Sequence, residues 1–172
     1  MPQRSDWSDQ PCPIARGINV VGDPWTLLIL REALSGARRF DEFKRRVGAS
    51  DNILAARLAA MVADGLLVQR PYSQGDRPRQ EYVPTGAAAD ALPILHAYAA
   101  WSHAHRPSST EEPVFTVSCR TCGHSTDRVE FCDNCGAALE VGNVVWARPG
   151  RWQGRAVNLS AGGPPGVDQG RA

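Results

Sequence analysis

Two matched cysteine pairs constrain the C-terminal part of this 172-residue chain more than any other feature. Each pair has the form Cys-x-x-Cys-Gly, reading CRTCG from residue 119 and CDNCG from residue 132, and nine residues lie between the pairs. Cysteines at this spacing direct two sulfurs at one ion, and the glycine permits the tight turn that this arrangement needs. The sequence therefore predicts one metal site formed by Cys119, Cys122, Cys132 and Cys135.

The chemistry of this site favours a structural Zn²⁺ ion. All four ligand positions are cysteine, which leaves no open position for a catalytic water. The module of residues 114–146 is small enough to need such a crosslink, and it resembles a zinc ribbon, although the spacer between its pairs is shorter than in many of them. Two roles remain open: a clip that builds a protein-interaction or dimer-supporting module, and a redox switch in which oxidation releases zinc and pairs the cysteines.

Composition divides the chain into four zones. Residues 12–105 are rich in Leu, Ala, Val and Arg at helical spacing and predict a packed domain, and the polar stretch RPSSTEEP at 106–113 predicts a linker. The cysteine module follows at 114–146. Residues 147–172 are rich in glycine and proline, and we expect most of this tail to be disordered.

Net charge and hydropathy exclude several classes of function. The formal charge is +1, no apolar run approaches the roughly 18 residues of a membrane span, and the polar start lacks a signal-peptide core. We expect a cytoplasmic protein with no membrane partner, in which reduced thiols favour metal binding over disulfides.

No phosphate-binding glycine loop or catalytic triad is visible, and His96, His103 and His105 are expected to be surface residues. The sequence predicts no enzyme.

The first zone contains a readable order of elements. Asp23 and Ser50 are predicted N-caps, and Gly36, Gly48 and Gly65 are predicted helix stops. Two strand-like runs, 66–72 and 80–83, flank a basic loop, and a last helix begins after Thr85 and is interrupted by Pro93. The predicted fold is mainly α with a β-hairpin wing: a winged helix-turn-helix domain plus a small four-cysteine zinc-ribbon β module.

This order of elements suits double-stranded DNA. The second helix of the pair has a width that the major groove admits, and a cationic hairpin tip can contact phosphates or the adjacent minor groove. Local positive charge comes from the first helix of the pair and from the residues just before it, at Arg38, Arg39, Lys44, Arg45 and Arg46. The alternative for this charge run alone is an ordinary solvated helix face.

Several separated motifs carry a family resemblance: CPIARGINVVGDPWTLLILREALSGARRFDEFKRRV, SDNILAARLAAMVADGLL and EYVPTGAAADALPILHAYAAW. Together they resemble the HxlR-type winged-helix regulators, relatives of the MarR group, over about residues 12–103. The resemblance implies a homodimeric transcription regulator, expected to be a repressor, that binds a double-stranded DNA operator. It also implies that the terminal helices form the dimer and that residues 50–64 form the recognition helix.

The same resemblance places the contact residues. The recognition helix offers Ser50, Asn52, Ala55, Ala56 and Arg57 to the groove, and the alternative for each is a helix-surface or partly packed role. Arg77 and Arg79 are expected to contact phosphates from the hairpin. Cys12 occupies a position at which some relatives carry an oxidant-sensing thiol, and the alternative is a cysteine packed at the start of the first helix. The chain could also bind a small-molecule effector, or a protein partner through the ribbon. The alternative function is an adaptor or a thiol-based redox sensor, in which the winged helix is mainly a dimer scaffold.

Overall fold

The computed structural model of the protein describes residues 6–72, 79–106, 115–147 and 156–159. Within these ranges the N-terminal part is helical with one hairpin, and the C-terminal part is a small sheet. The helices are α1 (Pro13–Val21), α2 (Pro24–Leu34), α3 (Phe40–Val47), α4 (Asp51–Ala63), α5 (Gly86–Asp90) and α6 (Leu92–His105). The strands are β1 (Leu67–Pro71), β2 (Gln80–Pro84), β3 (Thr116–Cys119), β4 (Val144–Ala147) and β5 (Ala156–Asn158).

Local sequence chemistry sets the ends of the helices. The Asp23 carboxylate accepts hydrogen bonds from the amides of Trp25 at 2.9 Å and Thr26 at 3.2 Å, which confirms the predicted start of α2. Gly48 ends α3 with a φ of 78°, a value that a residue with a Cβ rarely adopts. The prediction for Ser50 was wrong in one respect. Ser50 occupies the N-cap position of α4, but its side chain makes no capping hydrogen bond.

The wing is a two-stranded antiparallel hairpin. Its register runs from Leu67 opposite Pro84 to Pro71 opposite Gln80, and the Tyr72 amide extends it by donating to the Arg79 carbonyl at 3.0 Å. The hairpin order is therefore confirmed, with strand ends one residue from those predicted. The tip, residues 73–78, lies outside the described residues, and with it the predicted contact at Arg77.

The last helical segment is two helices rather than one interrupted helix. Thr85 caps α5 by accepting from the Ala88 amide at 3.3 Å, and its hydroxyl donates to the Gly65 carbonyl at 2.7 Å. The helical segment is interrupted at Ala91, which ends α5 and precedes α6, and Pro93 lies in the first turn of α6. Proline lacks the N–H that a continuous helix would require there, so the break falls two residues before the proline.

Helix α2 is the centre of the winged-helix core. Four of its side chains are fully buried, and they pack with residues of α3 and α4 such as Phe43, Leu54 and Leu58. Glu32 is also fully buried on this helix, where Arg31 holds it at 2.7 Å and Arg46 of α3 lies 4.0 Å away. The ion pairs explain how a carboxylate is accommodated in the core. The buried residues of α2 that carry the apolar packing are Ile29, Leu30, Ala33 and Leu34.

The cysteine module is built around a three-stranded antiparallel sheet in the order β3-β4-β5. Strand β5 pairs with β4 through Ala147 opposite Ala156, so the module extends beyond its predicted end at residue 146. A three-residue strand inside a segment rich in glycine and proline carries too little pattern to be recognised. Of the predicted tail, only residues 147 and 156–159 are described, and of the predicted linker, only Arg106.

The ribbon and the winged helix share one buried cluster. Trp146 of β4 and Leu139 of the ribbon are within the same group of packed residues as Leu92 of α6 and Leu30 of α2. The two units are therefore packed together rather than joined only through a linker. Among the described residues, no helix has the length and apolar character to cross a membrane.

Candidate metal centre and nucleic-acid interface

The two cysteine turns have the same backbone geometry. In the first, the Gly123 amide donates to the Cys119 carbonyl at 2.8 Å, and the Cys119 amide donates to the His124 carbonyl at 2.9 Å. In the second, Gly136 donates to Cys132 at 2.8 Å and Cys132 donates to Ala137 at 2.9 Å. Both glycines have φ values near 70° (74° and 72°), which explains why each pair is followed by glycine.

The four sulfurs form one compact group. All of them lie within 4.8 Å of one another, and the Cys119–Cys135 and Cys122–Cys132 sulfur pairs are each 3.7 Å apart. Four sulfurs placed at about 2.3 Å from a tetrahedral zinc ion are about 3.8 Å apart. The spacing therefore fits a Zn²⁺ ion with four cysteine ligands, as the sequence predicts.

The surroundings of the sulfurs favour binding of a cation. The Asn134 side chain and the His124 backbone amide lower the pKa of Cys122 to about 6. The Ala137 amide favours the thiolate of Cys135, but the neighbouring sulfurs and burial outweigh it and raise the pKa of Cys135 to about 12. Four thiolates at this spacing repel one another, and a divalent cation bound between them offsets much of that repulsion.

The ribbon is fixed to α6 by a buried histidine. His96 is 2% exposed, so its prediction as a surface residue was wrong. The indole N–H of Trp146 lies 3.1 Å from His96 Nε2, and His96 Nδ1 lies 3.2 Å from the Val129 carbonyl. Because the indole nitrogen only donates and the carbonyl only accepts, His96 is the neutral tautomer with its proton on Nδ1.

A second histidine of α6 contacts the ribbon from the surface. His103 Nδ1 lies 3.0 Å from an Asp127 carboxylate oxygen, and this pair is exposed. Both histidines share one face of α6, as the sequence shows, but no signal in the sequence indicated that a cysteine module covers that face.

Helix α4 buries one face and exposes the other. Leu54, Leu58 and Met61 are within the core. The exposed side of its first two turns contains Asp51, Asn52, Ala55 and Ala56, and Ser50 precedes it with an exposed side chain. The predicted groove-reading residues other than Arg57 therefore lie on one accessible surface, which we call the α4 face.

Two of the predicted cationic contacts are engaged with carboxylates. Arg57 Nη2 lies 3.0 Å from Asp23, the residue that caps α2, and its side chain is only 27% exposed. Lys44 lies 2.8 Å from Asp51, and both side chains of this pair are exposed. The first contact joins α4 to the start of α2, whereas an exposed pair such as Lys44–Asp51 contributes little stability and exchanges partners readily.

The remaining predicted cations divide into exposed and packed groups. Arg38 is half-buried and donates from Nη1 to the carbonyls of Ala33 at 2.6 Å and Ala37 at 2.9 Å, so it satisfies the C-terminal end of α2. Burial lowers the pKa of Arg38, against the opposing effect of nearby carboxylates. Exposed Arg39 lies 4.5 Å from the ring centroid of Tyr72 and so connects the start of α3 to the wing.

Arg45 and Arg79, the other two predicted phosphate contacts among the described residues, have exposed side chains on α3 and at the wing.

Cys12 is exposed at the N-cap of α1. The nearby Arg16 guanidinium donates to the carbonyls of Gln10 and Pro11, at 2.8 and 3.0 Å, rather than to the thiol.

Comparison with known proteins gives consistent matches. The model of the family described as "HxlR-like helix-turn-helix" matches residues 20–110. An uncharacterized HTH-type transcriptional regulator of Mycobacterium tuberculosis is 36% identical over 132 residues, which are 77% of this chain and 82% of the relative. A match of that length extends past residue 110 toward the cysteine module.

Solved structures show the same similarity. PA1607, a candidate transcription factor, is 34% identical with a TM-score of 0.65, and the match covers 78% of this chain and 92% of PA1607. The reduced form of the redox regulator HypR is 26% identical with a TM-score of 0.50, over 55% of this chain and 94% of HypR. With the observed order of helices and wing, these matches show that the chain belongs to the HxlR-like helix-turn-helix family.

Proposed function

We propose that the chain is a homodimeric transcriptional regulator that binds double-stranded DNA and that one structural Zn²⁺ ion holds its ribbon. The observation that carries the proposal is the accessible α4 face, which follows a helix-turn-helix turn and lies beside exposed cations of α3. A recognition helix needs this combination, because its own side chains read base edges while neighbouring cations contact phosphates.

The α4 face would enter the major groove. Asn52 has the amide geometry to pair with adenine, and Ala55 and Ala56 are small enough to let the helix approach thymine methyl groups. Ser50, exposed at the start of the helix, would contact a phosphate. Arg57 is a weaker base reader in this proposal, because its contact with Asp23 would have to break first.

The phosphate contacts would come from Arg39, Lys44, Arg45 and Arg79. Lys44 would exchange its exposed partner Asp51 for a phosphate at little cost. We leave Arg38 out of the proposed contacts, because its guanidinium already binds the end of α2. Arg77 remains a prediction, since it lies outside the described residues.

A homodimer would cover the apolar surface of the terminal helices. Helix α1 has nine residues, and none of them is buried. Two of its apolar side chains, Ile14 and Ile18, are 71% and 45% exposed. A helix this short is not stable alone in water. Tyr98 and Trp101 of α6 are likewise more than half exposed, so α1 and α6 of a second copy are the natural partners for this surface.

A second role is thiol-based sensing by Cys12. This role is supported by the exposed position of Cys12 and by the similarity to HypR, whose structure is described as that of a redox regulator. Operator binding by the native protein and by Cys12→Ser, each before and after mild peroxide, would test it. Identical responses of the two proteins would exclude Cys12 as the sensor.

The main proposal is tested by a gel-shift titration of the zinc-loaded protein against its own upstream region and a scrambled duplex, at two salt concentrations. Selective binding with a steep salt dependence is expected, because several phosphate contacts release counterions. A repressor would also lower expression of a reporter placed behind the bound region. Absence of any duplex binding at low salt, with zinc and dimer intact, would favour the alternative that the ribbon is a protein-binding adaptor.

A further inference from the structure

The winged helix and the ribbon enclose a cleft between α2, α6 and the ribbon sheet. Its volume is about 510 Å³, within the range of about 300–1,000 Å³ that small-molecule sites occupy. Leu27 and Leu28 of α2 form one wall and Leu95 of α6 forms the second. Phe115 and Trp146 of the ribbon form the third wall, and both residues lie outside the span of residues 20–110 that matches the family model.

The ribbon wall of the cleft is held in place before any ligand arrives. Trp146 is 1% exposed, donates its indole N–H to His96, and meets the Phe115 ring edge to face at 5.3 Å between centroids. Because Trp146 is almost completely buried, the accessible apolar surface of this wall comes mainly from Phe115, and its packing on Trp146 limits the rotamer freedom that binding would remove.

The polar groups of the cleft are few. Among the described residues around it, and apart from Trp146, whose N–H donates to His96, the polar side-chain groups are those of Arg31, Ser102 and the Tyr98 hydroxyl. Arg31 donates to Glu32 from Nε at 2.9 Å, and its Nη2 lies 2.7 Å from the same oxygen, so its charge is largely balanced. The cleft thus offers hydrogen-bond donors at its edge with little net charge, beside three apolar walls.

We propose that this cleft binds a small aromatic molecule of one or two ring systems, neutral or with a single negative charge, whose polar group faces Arg31 and Ser102. The volume of about 510 Å³ and the three apolar walls suit such a molecule. The exposed apolar surface suited to a second copy meets the cleft at Tyr98, which lines the cleft, and otherwise lies on α1 and on Ile94 and Trp101 of α6.

The cleft is connected to the DNA-reading helix. Pro24 and Leu27 line it from the first turn of α2, and Asp23 at the start of the same turn holds Arg57 of α4 at 3.0 Å. A ligand that displaces this turn therefore changes how α4 is held, and ligand and operator would alter each other's affinity by the same factor. This last step rests on the proposed function, whereas the existence of the binding site does not.

The test uses 8-anilinonaphthalene-1-sulfonate, an aromatic monoanion whose fluorescence rises in apolar surroundings, with the zinc-loaded full chain. Ala99→Phe narrows the cleft from the α6 side, and the matched control Ala87→Phe places the same ring at an exposed position of α5 that does not line the cleft. We expect saturable binding to the native protein and to the control, and at least tenfold weaker binding to Ala99→Phe. Ser102→Phe, at the edge of the cleft, should also weaken binding and serves if Ala99→Phe does not fold.

Equal binding by the native protein and both cleft variants would overturn the proposal, because the probe would then lie elsewhere. A change from dimer to monomer in Ala99→Phe, measured by sedimentation, would also overturn it and would assign the cleft to the subunit interface. Operator affinity with and without the probe tests the coupling. If the protein binds no DNA, the function proposed above fails. The binding site is still supported if the native protein binds the probe saturably and Ala99→Phe does not.

Discussion

The indole N–H of Trp146 donates to Nε2 of His96 across 3.1 Å, in a buried contact between residues fifty positions apart in the chain. The contact joins β4 of the ribbon to α6 of the winged helix. Since His96 also donates to the Val129 carbonyl, one histidine satisfies two groups of the ribbon. The cysteine module is therefore an integral part of this fold, and its docking can be tested separately from its metal.

The first prediction concerns this docking. His96→Leu keeps an apolar side chain of similar size but leaves the Trp146 N–H and the Val129 carbonyl without their partner, so it should lower the free energy of unfolding by about 1–3 kcal/mol. His103→Leu is the matched control, because its exposed pair with Asp127 should contribute less than about 1 kcal/mol. Urea unfolding of both variants gives the comparison, and equal losses would contradict a special role for His96.

The pH dependence of stability gives a second prediction. Burial lowers the pKa of His96, and the bond to Val129 only partly opposes it. The unfolded chain, with a histidine pKa of about 6.5, therefore binds a proton that the folded chain does not. The contribution of neutral His96 is present above about pH 6.5 and is lost as pH falls toward the lowered folded pKa.

The measurement is the free energy of unfolding at about pH 7.5 and about pH 5.5 for the native protein and for His96→Leu. Both proteins contain the same cysteine site, so acid effects on the thiolates cancel in the comparison. The native protein should lose more stability on acidification than the variant. Parallel losses would show that His96 does not titrate in this range.

The helices and the metal site were predictable because their signals are local. Asp23 followed by Pro24, the glycines at 36 and 48, and the two Cys-x-x-Cys-Gly turns each determine the geometry of a few adjacent residues. The docking of the ribbon was not predictable, since His96 and Trp146 are distant in sequence and neither lies in a motif. The Asp23–Arg57 contact was missed for the same reason, because each residue already had an adequate local explanation.

The third prediction tests the metal centre. Replacing Cys119 and Cys122 by serine removes one cysteine from each close sulfur pair, so bound zinc should fall from about one ion per chain to near zero. Trp146, one of five tryptophans in the chain, should become exposed and shift the total tryptophan fluorescence to the red, while most of the helical circular dichroism remains. Cys12→Ser is the control and should keep its zinc. Zinc retained at one ion per chain in the double variant would mean that other groups bind it.

The fourth prediction separates the two roles of Asp23. Asp23→Asn keeps an N-cap for α2 and removes the charge that holds Arg57, whereas Asp23→Ala removes both. The alanine variant should be less stable than the asparagine variant by about 0.5–2 kcal/mol, measured by urea unfolding. Equal stability of the two variants would show that the cap contributes little, and their shared loss relative to the native protein would then measure the Arg57 contact.

The fifth prediction concerns the wing. Arg79 lies at the base of the hairpin with an exposed side chain, and a phosphate contact carries no sequence information. Arg79→Ala should therefore weaken binding to all duplexes alike and reduce the slope of log affinity against log salt by about one unit. Arg128→Ala, which removes an exposed arginine of the ribbon, is the control and should leave the slope unchanged. If Arg79→Ala weakened binding to the operator and not to a scrambled duplex, the wing would be reading bases rather than the backbone.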